Sequence, residues 1–180
     1  MILPDKEYKA FLETHLELLF YIGRQNKIIS DSLTFLDFIK LDFKVKKKCR
    51  DIFLENERLL DDYLFLNFDK LTAQQINILT GFKKKISSDF VIFKCLTNCA
   101  IFLEINENKF YAVKALSDRF DKFFNKFPVL ITTTILPYND QIIYDGFIMP
   151  TGVYLGSGMT STINEDYKKA KKNNQILTTM

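Results

Sequence analysis

The chain has 180 residues, 47% hydrophobic and 26% charged, with 25 basic side chains nearly cancelled by 22 acidic ones. That length buries roughly 70% of the unfolded surface in a proper core, the composition fits a soluble globular protein, and the charge balance is too even to point to nucleic acid or membrane. Three cysteines, Cys49, Cys95 and Cys99, with no secretory start and no apolar run long enough to span a bilayer, set the expectation of a reduced, cytoplasmic protein with no membrane partner.

From Pro4 to about Ile22, Tyr8, Phe11, Leu12, Leu16, Leu19 and Phe20 recur at three- and four-residue steps. This spacing predicts an amphipathic helix, with Gly23 near its end. Ser30 or Asp31 is expected to cap the next helix, whose apolar stripe is Leu33, Phe35, Leu36, Phe38 and Ile39. Between Phe43 and Phe68 the pattern stays helical with a break near Asn56. A further helix starts at Asp69 or Thr72, and Thr72 with Gln75 three residues on has the spacing of a capping box. Its buried face is read as Ile76, Leu79, Phe82 and Ile86.

At Ser87-Ser88-Asp89 the period changes from about 3.6 to about 2, which places a boundary between a helical region, 1–86, and a sheet region, 87–180. The two are expected to pack as one compact unit. Phe90–Leu96, Cys99–Ile105 and Lys109–Leu116 read as three strands of a meander. A short helix, 118–126, can lay Phe120, Phe123, Phe124 and Phe127 over the sheet before Pro128 stops it. Val129–Leu136 and Gln141–Ile148 then form a hairpin about Asn139-Asp140. A glycine-bearing link leads to a lysine-rich helix from about Ile163, and Asn173–Met180 is read as frayed. The expected fold is α+β: a helical half, then an antiparallel five-stranded sheet, open or a small barrel, with a crossover helix and a C-terminal helix.

Few residues suit catalysis. The one histidine, His15, sits mid-helix among leucines, and a hairpin turn at Thr97-Asn98 sends Cys95 and Cys99 to opposite sheet faces. Asp140 and Asp145 suit turns better than paired acid and base. No catalytic residue, metal site or cofactor is therefore expected. Gly156, Ser157, Gly158, Thr160 and Ser161, ahead of a helix, are the anion-binding candidates, because glycines admit close backbone approach and a helix N-terminus offers free N–H donors. Two lysine clusters, Lys46, Lys47, Lys48 and Arg50, and Lys83, Lys84 and Lys85, are the nucleic-acid candidates. A third follows at Lys168, Lys169, Lys171 and Lys172.

The runs FVIFKCLTNCAIFLEINENKFYAVKAL, VLITTTILPYNDQIIYDGFI and GSGMTSTINEDYKKAK, from about Phe90 to Lys172, resemble an uncharacterised bacterial α+β domain. The shared layout is a hydrophobic hairpin, a strand pair ending in IIYDG and a terminal helix. Some members of that family carry a zinc-binding SEC-C tail; no such cysteine-rich segment stands in this sequence, so the resemblance implies no metal site here. The family has no assigned activity, and the resemblance implies a coherent domain and a bacterial source. The functional expectation is a non-enzymatic binding or regulatory protein with a protein partner. Nucleic-acid binding through the lysine clusters is the second reading, and a small hydrolase or phosphate-handling enzyme is the third.

Overall fold

The computed structural model describes residues 2–180. Two compact units divide the chain, Lys6–Lys83 and residues 2–5 together with Lys84–Met180. The first is helical: α1 (Asp5–Gln25, its first residue belonging to the other unit), α2 (Phe35–Lys40), α3 (Phe43–Glu55), α4 (Arg58–Asn67) and α5 (Ala73–Gly81). The second holds β1 (Ile86–Cys95), β2 (Ala100–Glu104), β3 (Lys109–Lys114), α6 (Phe120–Phe123), β4 (Val129–Tyr138), β5 (Gln141–Tyr154), α7 (Ser157–Lys172) and β6 (Ile176–Leu177).

In the helical unit, the α1 stripe buries Phe11, Leu18, Leu19 and Ile22. The Phe53 ring meets Phe82 edge-on at 5.5 Å, and His15 lies 4.8 Å from the same ring, inside the core. Gly23 is a close approach: a Cβ there would stand 3.0 Å from the Cys49 sulfur and 3.1 Å from Ile29. Such a Cβ would require the Cys49 and Ile29 side chains to give way by a few tenths of an ångström. The break at Asn56 is present as the end of α3, and the capping box forms as read, with the Thr72 hydroxyl accepting from the Gln75 N–H and the Gln75 side chain accepting from the Thr72 N–H. Two expectations are corrected. Helix α2 starts later, capped by Thr34, because its hydroxyl takes the Asp37 N–H while Ser30 and Ser32 bond each other in the preceding turn. The face of α5 buries Ile78 with Leu79, and Ile76 is half exposed.

The sheet is mostly antiparallel, as expected, but it has six strands rather than five and is mixed. Its ladders run β2–β1–β4–β5–β3–β6, and β2 also pairs with β3, so the first five strands form a circuit of ladders with β6 outside it. Strand β3 runs parallel to both β5 and β6. The sixth strand comes from the tail read as frayed. Helix α7 ends in a Schellman turn, where Asn174 at φ 54° lets its own N–H reach the Lys171 carbonyl and the Gln175 N–H reach that of Ala170. The turn aims Ile176 and Leu177 along Phe110 and Tyr111.

Other boundaries move for similar reasons. Ser87, Ser88 and Asp89 are polar yet lie inside β1, paired to Thr134, Thr133 and Thr132; Ser87 shares a hydroxyl bond with Thr134, and Asp89 accepts from Thr132 at 2.5 Å. Strand β5 runs on past Ile148 to Tyr154, opposite Val129. It passes a bulge where Gly146 takes φ 92° and the Asp145 carboxylate accepts the Phe147 N–H. Helix α6 is one turn, so Phe120 and Phe124 are buried and Phe123 points to solvent.

Alternation along the strands sorts two apolar layers. Phe90, Phe102, Tyr111, Phe120 and Tyr144 join in a chain of ring contacts on one face. On the other, Val91, Phe93, Ile101, Leu103 and Phe110 pack against Ile163, Tyr167 and Ala170 of α7. Every residue of β2 is thereby buried.

Candidate functional site

Glycines 156 and 158 do not form a loop. Gly156 is the N-cap of α7, which starts at Ser157 rather than near Ile163, and Ser157, Gly158, Thr160 and Ser161 fill its first turns. A glycine-rich segment can stay helical here because the Thr160 and Thr162 hydroxyls bond back to the Gly156 and Gly158 carbonyls. No side chain caps this end. Asp140 lies at the tip of the β4–β5 hairpin and Gly156 beyond its opposite end, with the ladder from Tyr138↔Gln141 to Val129↔Tyr154 between them. Asp145, buried, is bonded to the backbone of its own bulge. The structure therefore does not bring together the carboxylates and glycines that a phosphate-handling site would need.

The lysine runs are engaged locally. Lys46 donates to the Ile39 carbonyl at 2.6 Å, Lys47 meets Asp51 at 2.5 Å, and Arg50, only 6% exposed, reaches the other oxygen of Asp51 at 3.3 Å. Lys48 is exposed. Lys83 pairs with Asp61 at 2.6 Å; Lys84 is exposed and Lys85 half exposed, just ahead of β1. Helical periodicity turns consecutive lysines to different sides, so a run in sequence is not a patch in space.

Thiol chemistry is equally restrained. Cys95 lies opposite Ala100, as the hairpin register requires, and Cys99 packs on the α7 side. Burial pushes the Cys95 and Cys49 thiols up to about 11, away from the thiolate that metal binding or attack needs. Among the described residues no group of three His, Cys, Asp or Glu is placed to hold a metal ion, and no helix is long and apolar enough to cross a membrane.

Three features escape a motif search. An open groove of about 550 Å³ in the sheet unit is lined by Asn108, Lys109, Phe110, Asp166, Lys169 and Asn174, among others. Its two lysines are already paired, Lys109 with Glu107 and Lys169 with Asp166. In the helical unit, Phe65, Leu66 and Phe68 stand out at 85%, 60% and 61% exposure where α4 runs into the 3₁₀ turn Phe68–Lys70. Helix α4 turns its other side inward, burying Leu60 and Tyr63, with the Tyr63 ring 5.2 Å from Tyr21 and its hydroxyl pushed up to about 12 by burial. The sequence held one sign of this: from Leu59 to Phe68 apolar residues fall on every side of the helix, more than one buried stripe can use. The third feature is Lys94, held against the face of Tyr167.

Comparisons with protein-family models, with curated proteins and with solved structures gave no match.

Proposed function

We propose that this chain is a non-enzymatic binding protein whose protein partner docks on the ridge of Phe65, Leu66 and Phe68. The supporting observation is their exposure: three large apolar side chains within four positions, on a helix whose opposite side is already buried. Scattered exposed apolar residues need no explanation, whereas Phe65 and Phe68, three positions apart and so on neighbouring sides of the helix end, with Leu66 beside them, make an apolar surface of the kind that marks a contact site. Covering each side chain would return about 1.5 to 3 kcal/mol, which is enough for one ridge to dominate a modest interface. Leu36, Ile39 and Phe43, also exposed and close in sequence, extend the apolar character of this unit. The resemblance of the sheet segment to an uncharacterised bacterial domain adds coherence to the chain and no chemistry.

The reading is tested by placing a photo-crosslinking phenylalanine analogue at position 65 in the native cell and identifying adducts by mass spectrometry. A discrete protein adduct that disappears with Phe68→Ser, while an analogue at exposed Asp31 gives none, is the expected result. Adducts equally abundant at both positions, or none at position 65, would overturn it.

A further inference from the structure

The register of β1 carries an irregularity with a chemical outcome. Ile92 pairs with Phe102 but Lys94 pairs with Ile101, so Phe93 is an extra residue in the ladder. Without it, strict alternation would send Lys94 to the inner face with Phe90 and Ile92. With it, Phe93 and Lys94 both face α7, Phe93 in the apolar layer and the Lys94 ammonium 3.8 Å from the centre of the Tyr167 ring and 4.8 Å from that of Phe93. A ring face holds a cation in place without neutralising it.

Lys94 joins two cations of α7. Lys168 follows Tyr167, and Lys171 lies one turn further on, three residues from Lys168 and so on the same side of the helix. Burial, then Lys171 and Lys168, hold the Lys94 ammonium below its ordinary value, as mutual repulsion demands. None of the three is paired with a carboxylate; the nearby Asp166 is taken by Lys169, and Glu165 is the other acid of the helix. Lysines at a helix C-terminus complement its dipole, but that does not account for a sheet lysine turned toward them by a bulge. On β3, Lys114 follows Phe110 and Ala112 on the same face of the sheet.

We propose that Lys94, Lys168 and Lys171, on the α7 side of the sheet unit, bind the phosphodiester backbone of a nucleic acid. The site is independent of the ridge on the helical unit and stands or falls separately. Two of the cations, Lys168 and Lys171, lie one turn apart on an exposed side of α7, with Lys94 of β1 against the intervening helix face, an open arrangement that suits a linear polyanion better than a compact one. Each phosphate contact to a single strand contributes about −0.7 to the slope of log Kobs against log salt, so three contacts predict a slope of about −2.

The full chain is titrated into labelled single-stranded and duplex oligonucleotides at rising salt. The expected result is binding with that slope, and a Lys168→Ala, Lys171→Ala variant whose slope falls by about two thirds with unchanged thermal unfolding. Lys94→Gln, which keeps most of the packing on Tyr167, should lower the slope by about one contact, and Lys46→Ala with Lys48→Ala should change nothing. Absence of salt-dependent binding would overturn the proposal, as would a double variant that binds like the parent. Inorganic triphosphate bound as tightly as the oligonucleotide would overturn it too, assigning the site to a compact anion.

Discussion

Both units leave some large apolar side chains in solvent and pair some of their cations, but they differ in which ones. In the helical unit several cations of the sequence runs are engaged within the fold, Lys46 on a carbonyl, Lys47 and Arg50 on Asp51 and Lys83 on Asp61, while Lys48 is exposed. Its apolar surplus, Phe65, Leu66 and Phe68, is left in solvent. In the sheet unit α7 covers the outward apolar layer, while Lys94, Lys168 and Lys171 are left without carboxylates. The difference teaches that a lysine run in a sequence does not by itself say how much charge is left unpaired: the runs on α3 and before β1 are partly neutralised by nearby acids, while the run on α7 keeps Lys168 and Lys171 unpaired and gains Lys94 from β1. In α3 an acid one turn on, Asp51, can neutralise a lysine locally, whereas the sheet-unit cluster draws on two elements more than seventy residues apart.

The comparison can be broken most forcefully through the two cores. Phe53→Ala and Phe102→Ala each remove a fully buried ring and should each cost about 3 to 5 kcal/mol. Hydrogen exchange should show α1, α3 and α5 amides losing protection in the first, and β1 to β3 amides in the second. Uniform loss in both variants would mean that the units do not differ in the way described.

A smaller effect should come from pH. Cys49 lies in the helical core with its thiol raised from 9.0 to about 11 by burial. The unfolded chain therefore loses this proton first: the stability it supports is full below pH 9 and is lost as pH rises toward 11, by about 2 to 3 kcal/mol. Denaturant titrations across that range should fall less steeply for Cys49→Ala than for the parent chain, and parallel curves would contradict the burial argument.

The smallest effect sharpens the contrast between engaged and unengaged lysines. Lys83→Ala, which loses Asp61, should cost up to about 1 kcal/mol, and Lys168→Ala, with no carboxylate to lose, should leave chemical denaturation unchanged within about 0.3 kcal/mol. The reverse order would show that α7 needs its lysines for folding.

Legibility followed the range of the interaction. The stripe of α1, the break at Asn56, the Thr72–Gln75 box and the hairpin at Asn139-Asp140 were all readable, because each is fixed by residues within a few positions of one another. Polar Ser87-Ser88-Asp89 looked like a boundary, yet partners on β4 more than forty residues away make it strand. Gly156–Thr162 looked like a link for want of helix formers, and hydroxyls bonding to carbonyls four residues back keep it helical.

By itself, then, the sequence determined the α+β order and, within a few residues, the change of period near Ser87, since composition and local spacing suffice for these. Only the tertiary structure decided the parallel pairing of β3 with β5 and β6, the bulge that turns Lys94 toward α7, and which apolar residues stay outside. Those outcomes depend on register and on competition for burial between distant segments, and neither is encoded in any one stretch of chain.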